Sequence, residues 1–410
     1  MTKSLPLILF ISLFTISDNV NAQGSMSDFL LTAFEDLNTK GYDASINFLS
    51  PKNYRLPIVE DLEVRFGNDE FTQKDQQYAV RFRPGNPWKI RRNKALFNAT
   101  KKELSIRQQL QYHENLVDRY ELAAEYLLET KSLDLEQRKY ALIKKRIDIL
   151  GSNLESALFN SKDFVEAKLD QVDALNSKEE TTVSILNLER IIVSVLQQPE
   201  INWNSEQLIS ISGMDSIADE IASKSLPALE LELITQKIDV ARKEVRLEKA
   251  DFDIGYFQTE YYPYRDRNSD YGLSFGISIP IFNSNKNQIA EKKLDEIELR
   301  NDFAAEQYQD SIKRVVEYEY LKSLLAQHRM LIEQIEDLEL DKLSSNLRQI
   351  EDNNPLTFLD LEEGKLKLEE LKLKSYSRVI DQYLEFLDAY NVITNLPLRN
   401  YLSKDLSNLE

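Results

Sequence analysis

Two carboxylates with helical spacing are the side chains of this sequence best placed to act chemically. Asp360 and Glu363 lie three positions apart, shortly after Pro355, which is typical of a helix start. Residues at this spacing share one helix face, and the helix dipole stabilises anions near the first turn by about 0.3–1 kcal/mol. The pair could therefore attract cations. The alternative is that both acids are ordinary first-turn residues, where Asp and Glu are common.

Catalytic chemistry has little support elsewhere in the chain. His113 and His328 are isolated on predicted helices, and a lone histidine on a charged helix is usually exposed. No nucleophile pattern, glycine-rich phosphate loop or metal-ligand spacing accompanies them. Carboxylate pairs recur throughout the acidic helices, so they do not indicate acid–base catalysis. We expect a protein that is not an enzyme and that needs no cofactor or metal.

Composition indicates long helices and disfavours some partners. The formal net charge of −18 argues against nucleic acid. Only 10 Gly and 11 Pro occur in 410 residues, which predicts long uninterrupted elements, and 29% charged residues predict partly solvated helix faces. The absence of cysteine excludes disulfides, cysteine-ligated metals and a lipoprotein anchor.

The amino terminus resembles an export signal. Lys3 precedes the apolar run Leu5–Ile16, and small residues end at Ala22, so residues 1–22 are predicted to be a signal peptide cleaved before Gln23. The alternative is a membrane anchor, but the run is shorter than the roughly 20 residues that a spanning helix needs. No later stretch is long and apolar enough for such a helix, so a membrane crossing would require a closed β-barrel.

Two long helical hairpins are predicted to position the carboxylates. Each long helix is free of proline for about sixty residues, would extend roughly 100 Å, and must pack laterally on other long helices. Returning helices are predicted over about 163–197 and 356–393. The first long helix contains a coiled-coil seam in which apolar residues recur every seven positions: Leu128, Leu135, Leu142 and Ile149. The second carries an apolar face marked by Ile297, Ala304, Tyr308, Ile312 and Val315.

Two short strands precede each long helix. They are predicted over about 58–66, 78–83, 253–261 and 271–279. The last of them alternates without error, with glycine and serine on one face and five apolar residues on the other: Tyr271, Leu273, Phe275, Ile277 and Ile279. This alternation fits a transmembrane β-strand and equally a half-buried strand of a water-soluble sheet. Four strands cannot close a transmembrane barrel alone, so several chains would have to contribute.

The chain repeats itself. Phe282 stands as far before Phe358 as Trp88 stands before Phe164, and the segments that follow match. We predict a first repeat at 23–198, an irregular insert at 199–225, a second repeat at 226–394 and a tail at 395–410. The second repeat begins with a full rising helix from Leu226 to about 250. The first offers only a short helix over 28–37, so its rising helix is predicted to be short or missing.

Two segments carry a resemblance to a known family. Ile277 to Phe282 (ISIPIF) before a long polar helix, and Thr357 to Glu363 (TFLDLEE) opening the returning helix, resemble the TolC family of outer-membrane efflux and secretion channels. The resemblance covers about 226–393 closely and the first copy mainly over 78–198. It implies a mainly α fold with a small β part. Long antiparallel helical hairpins would form a tunnel, and four strands per chain would contribute to a trimeric transmembrane β-barrel.

The resemblance also implies a function. The protein would be the outer-membrane channel of a tripartite efflux or type I secretion system, conducting passively from a periplasmic tunnel. Its partners would be two further copies, a periplasmic adaptor, an inner-membrane transporter and outer-membrane lipid. Asp360 and Glu363 would form acidic rings at the tunnel entrance, Glu166 would be their first-copy equivalent, and the apolar face of residues 271–279 would contact lipid. The tyrosine and arginine that lock the entrance in some members are not evident here.

One alternative function remains at this stage, a periplasmic structural or adaptor coiled-coil protein without a channel. Such a protein should carry additional small β-domains, and the insert at 199–225 is too small for them.

A basic cluster lies at the junction of strands and long helix. It could contact anionic lipid, line a lumen or simply be solvated. It comprises Arg81, Arg83, Lys89, Arg91, Arg92 and Lys94.

Overall fold

The computed structural model describes residues 24–49, 56–68, 76–152, 160–197, 201, 203, 206–224, 226–263, 270–278, 285–348 and 355–409. The predicted signal peptide and Ile279 to Phe282 lie outside the described residues. Within them, no helix combines the length and the apolar character that a membrane crossing requires.

The first half of the chain places two strands between helical segments. Its elements are α1 (Met26–Leu31), a 3-10 helix (Thr32–Glu35), α2 (Leu37–Phe48), β1 (Val59–Asn68), β2 (Gln76–Pro84), α3 (Pro87–Ser152) and α4 (Ser161–Leu196). The short helix predicted over 28–37 is longer and interrupted, continuing to Phe48. The interruption falls at Asp36, whose side chain accepts a hydrogen bond from the Asn38 amide at 2.9 Å and so caps α2.

The second half repeats this order of elements. It contains α5 (Ile211–Ala222), α6 (Leu229–Glu248), β3 (Tyr256–Tyr262), β4 (Asp270–Gly276), α7 (Lys286–Asp337), α8 (Leu340–Arg348) and α9 (Pro355–Ala389). The continuous helix expected after β4 divides into α7 and α8. Glu339 separates them in the left-handed region at φ 46°, a conformation that a continuing helix cannot contain.

The four strands form one antiparallel sheet in the order β1-β2-β3-β4. The pairing of β2 with β3, from Tyr78 opposite Tyr261 to Phe82 opposite Phe257, joins the two halves of the chain. The sheet leads directly into the helical part, because α3 starts three residues after the end of β2. With 66 residues, α3 extends about 100 Å and carries its far end well away from the strands.

The main core lies near the middle of the helices. There α3 and α9 meet the insert and the C-terminal segment, burying large side chains such as Tyr120, Tyr383, Phe386 and Trp203. The Trp203 indole donates a hydrogen bond to the Gly24 carbonyl at 2.9 Å. The Tyr120 hydroxyl donates to the Arg399 carbonyl at 2.7 Å, although these residues are 279 positions apart.

The predicted seam of α3 drifts along the helix. Leu128 is buried, but at the far end the buried residues are Ile143, Ile147 and Leu150, whereas the predicted Leu142 and Ile149 are only half-buried. A straight α-helix turns by about 20° per heptad relative to a seven-residue repeat. Three heptads therefore move the apolar contact to neighbouring positions.

Two helix faces are apolar and uncovered in the single chain. On α7 these are the predicted residues Ile297, Tyr308, Ile312 and Val315, which are 45% to 69% exposed. On α4 they are Val165, Leu169, Val172 and Val183. α4 packs on α3, and α7 packs on α6 and α9, so each helix buries one side within the chain and leaves an apolar side open.

Candidate functional site

One face of the sheet is apolar and aromatic. The strand register aligns its side chains in three rows across all four strands. The rows are Phe66, Tyr78, Tyr261, Tyr271; then Val64, Val80, Thr259, Leu273; then Leu62, Phe82, Phe257, Phe275. The aromatic row is continuous, with ring centroids 5.2, 6.5 and 5.0 Å apart. Tyr271, Leu273 and Phe275 are between 68% and 77% exposed, and so is Ile277 just past the strand.

The opposite face of the sheet is a hydrogen-bonded polar network. Arg81 Nε donates to Gln258 Oε1 at 2.7 Å, and Gln258 is buried. Arg83 contacts Glu63 at 3.2 Å, and the Tyr262 hydroxyl donates to Glu260 at 2.8 Å. The sheet thus exposes its apolar side chains and ties polar side chains of the other face into hydrogen bonds, which is the reverse of a sheet that covers a water-soluble core.

Small residues on β4 leave space on this polar face for the larger side chains of the neighbouring strand. A side chain on Gly276 would begin 2.5 Å from the ring of Tyr256, over which the Arg81 guanidinium stacks at 4.0 Å. The glycine and serine alternation recognised in the sequence therefore accommodates larger polar groups on the neighbouring strands.

The structure brings Asp360 and Glu363 together on α9 and adds a partner. Arg146, near the end of α3, forms an ion pair with both acids. Its Nη1 lies 3.1 Å from Glu363 Oε2, and its Nη2 contacts Asp360. Lys367 also contacts Glu363 at 2.8 Å. Sequence reasoning missed Arg146, because it lies 214 positions from Asp360 and only the antiparallel packing of α3 on α9 brings them into register.

These contacts keep Glu363 ionised. Burial alone would raise the pKa of its carboxyl, but the hydrogen bond from Lys367 and the positive charges of Arg146 and Lys367 outweigh burial. The pKa of Glu363 therefore lies below its usual value.

Glu166 lies at the same end of the helical part, on a different helix. It is in the first turns of α4 and pairs with Lys162 at 3.5 Å on its own helix rather than with Arg146. A small core of Ile147, Leu150, Phe164, Ala167 and Leu356 holds the starts of α4 and α9 against the end of α3. All three predicted acids therefore cluster at the end remote from the sheet.

The two histidines are buried, so the expectation that they are exposed is wrong. His113 lies between helices: its Nε2 is 2.9 Å from Asp388 of α9, whose other oxygen is 2.9 Å from Lys313 of α7. Burial would raise the pKa of Asp388, but hydrogen bonds from His113 and Lys313 lower it to about 2. His328 similarly contacts Ser375 at 2.9 Å. Both act as polar contacts between helices.

The basic cluster divides among three environments. Arg81 and Arg83 belong to the polar face of the sheet. Lys89 pairs with Asp251 at 2.6 Å, and Arg92 donates to the Arg246 carbonyl, so both tie α3 to the end of α6. Arg91 and Lys94 are exposed.

Solved structures share this architecture. MtrE, an outer-membrane channel of Neisseria gonorrhoeae crystallised in its open state, is 11% identical and matches 93% of this chain and 91% of its own, with a TM-score of 0.62. CusC, described through its folding and transmembrane channel formation, is 10% identical over 90% and 92%, with a TM-score of 0.63. The outer-membrane protein VceC of Vibrio cholerae is 12% identical over 89% and 95%, with a TM-score of 0.61.

This chain has the fold of the TolC family of outer-membrane channels. The resemblance inferred from the sequence is thereby confirmed for the fold, which is mainly helical with one four-stranded sheet. No protein-family model and no curated protein sequence matches the chain. The TolC-like architecture is thus recognisable from the order and packing of elements, at sequence identities of about a tenth.

Proposed function

We propose that this chain is the outer-membrane component of a tripartite efflux or type I secretion system. It conducts substrates passively from a periplasmic helical tunnel through the outer membrane. The observation that carries the proposal is the inverted sheet, with an exposed apolar face and a hydrogen-bonded polar face, on a TolC-like fold. In this assignment residues 23–198 and 226–394 are two copies of one unit, joined by the insert at 199–225.

The apolar face is suited to lipid. Its three rows contain eleven apolar or aromatic side chains and one threonine, Thr259. A continuous apolar patch of this kind is rarely exposed to water on a soluble monomer. The aromatic row through Phe66 and Tyr271 corresponds to the girdle of aromatic residues found where transmembrane barrels meet the headgroups. On β4, Tyr271, Leu273, Phe275 and Ile277 are the lipid-facing residues, with Ile279 expected to continue the series.

Assembly into a homotrimer completes the sheet and the helices. β1 and β4 are the edges of the four-stranded sheet, and three copies supply the twelve strands of a closed barrel, which removes the edges. The open apolar faces of α4 and α7 then become lateral contacts between copies, as a helix about 100 Å long requires.

The acids at the far end are suited to the tunnel entrance. In a trimer, Asp360 and Glu363 bring six carboxylates to one level, with Glu166 nearby on α4. Arg146 and Lys367 offset part of this charge, so the entrance is a moderated acidic ring that attracts cations. A periplasmic adaptor and an inner-membrane transporter would dock at this end and supply the energy.

The alternative is a periplasmic structural or adaptor coiled-coil protein without a channel. Such a protein would need its sheet to bury an apolar face against a core. Here the apolar rows of the sheet are exposed, and no second layer of described residues packs on them. We therefore prefer the channel.

Cell fractionation tests the proposal. The protein should be found in the outer membrane as a trimer that only detergent releases. Ile312→Glu, which puts a charge on the open face of α7, should reduce the trimer yield. Gln307→Glu adds the same charge on an exposed residue about 140° round the helix from Ile312 and should leave the trimer intact. Recovery of the unaltered protein as a periplasmic monomer would contradict the channel assignment.

A further inference from the structure

The first turns of α3 carry a basic stripe. Residues 87–102 contain six Lys or Arg and no Asp or Glu, in a chain whose net charge is −18. Four of these cations are exposed, and they lie within an arc of about 100° on one side of the helix. We call these four residues, Arg91, Lys94, Lys101 and Lys102, the basic stripe.

The stripe has no partner among the residues that the structure describes. None of its four side chains forms an ion pair or hydrogen bond with any residue that the structure describes, whereas the neighbouring Lys89 and Arg92 are both engaged with the end of α6. The equivalent start of α7 differs, because its basic residues are interleaved with acids and Lys292 pairs with Glu244 and Asp295. The uncompensated charge is thus specific to α3.

The stripe is unfavourable for the helix itself. Like charges three residues apart on a helix, such as Arg91 and Lys94, repel each other. A local arrangement that costs stability without an internal gain is expected at a site that acts on something outside the chain.

The position of the stripe indicates what it meets. It begins beside the sheet, next to Trp88, which is 57% exposed and lies 6.2 Å from the ring of Phe252. Tryptophan is enriched at membrane–water interfaces. Arg91 and Lys94 lie about 6 and 11 Å along the axis from Pro87, which is comparable to the roughly 5–8 Å depth of a headgroup layer.

We propose that Arg91 and Lys94, the sheet-proximal part of the basic stripe, bind anionic phospholipid headgroups of the periplasmic leaflet, with Trp88 as the adjacent interfacial anchor. The proposal rests on the membrane location under the proposed function. Guanidinium and ammonium groups form charge-assisted hydrogen bonds with phosphodiesters. In a trimer the arrangement provides three basic sites, one per α3, separated by the mixed-charge starts of α7.

Lipid binding to the detergent-purified trimer tests this site. Native mass spectrometry should show preferential binding of phosphatidylglycerol over phosphatidylcholine. Arg91→Gln/Lys94→Gln should reduce that preference about 30-fold per site, since each charge near an anionic surface contributes about 1 kcal/mol. The matched control is Lys144→Gln/Lys145→Gln, which removes two exposed charges from the far end of the same helix and should keep the preference.

The outcomes are distinguishable from failure of the proposed function. A trimer that conducts in bilayers yet binds both lipids equally overturns the lipid site and leaves the channel standing. The lipid site is also overturned if Arg91→Gln/Lys94→Gln keeps the preference for phosphatidylglycerol, or if the control variant loses as much of it. If the preference is kept, an acidic protein becomes the partner to seek.

Tryptophan fluorescence provides a test without substituting the stripe. The chain has two tryptophans, and Trp203 is 1% exposed in the middle core, so lipid-accessible emission comes from Trp88. In mixed vesicles, phosphatidylglycerol brominated near the headgroup should quench Trp88 more strongly than brominated phosphatidylcholine at the same mole fraction. Equal quenching by the two lipids would show that the stripe does not enrich anionic lipid.

Discussion

Arg146 of α3 and Glu363 of α9 form an ion pair, with 3.1 Å between Nη1 and Oε2, at the end of the molecule remote from the sheet. The same guanidinium contacts Asp360. Two acids and one arginine therefore act as a unit, and the charge at this end depends on all three.

Changing this unit should change ion selectivity. Asp360→Ala/Glu363→Ala removes six carboxylates from the trimer, so single-channel recordings should show weaker cation preference and weaker block by divalent cations. Arg146→Gln should have the opposite effect, because it leaves the carboxylates uncompensated. The differences should be larger at low salt, since the Debye length falls to about 3 Å at 1 M.

The control for this prediction is Glu362→Ala, because Glu362 lies about 100° round the helix from Glu363 and contacts Lys365 instead. A change of selectivity in Glu362→Ala with none in the double variant would show that another face of α9 points to the tunnel. No change in any variant would mean that these acids are ordinary helix-start residues.

The two faces of β4 should respond differently to arginine. Leu273→Arg places a charge in the middle row of the apolar face, where lipid contact should destabilise the trimer by roughly 2–4 kcal/mol. Ser274→Arg points to the polar face and should preserve the trimer while lowering single-channel conductance. Thermal unfolding of the trimer and bilayer recordings measure the two effects. Equal tolerance of arginine at both positions would argue against a membrane location of the strand.

Asp388 should make stability depend on pH in the acidic range. Its pKa in the folded protein is about 2, below the ordinary 3.8. A lowered pKa contributes stability above the unfolded value, and this stability is lost as pH falls from about 4 to 2. Allowing for solvent screening of the partly exposed carboxylate, we expect about 1–2 kcal/mol.

Asp388→Asn should therefore lower the free energy of unfolding at neutral pH and flatten its decline between pH 4 and 2. Urea unfolding of the detergent-solubilised protein at a series of pH values measures both. Glu385→Gln, on the exposed side of α9 one turn earlier, should leave the acid limb unchanged. An unaltered acid limb in Asp388→Asn would assign that limb to other carboxylates.

Local patterns in the sequence were sufficient for the long helices and the strands, but not for α5, which lies in the insert predicted to be irregular. The alternation from Tyr271 to Ile277 depends only on the two-residue period of a strand, and the shared face of Asp360 and Glu363 depends only on helical geometry. The burial of His113 was not predictable, because its partners Asp388 and Lys313 come from helices distant in the chain. The break between α7 and α8 at Glu339 was not predictable either, because no glycine or proline marks it in the sequence.

The hydrogen bond from Tyr120 to the Arg399 carbonyl has a consequence for the order of folding. The middle core also buries Leu402 and Leu409, so it requires residues that follow α9. Contacts of such long sequence separation form late. A chain that emerges amino terminus first therefore cannot close this core until residues 399–409 have emerged, and until then the apolar faces of its long helices need protection from premature association.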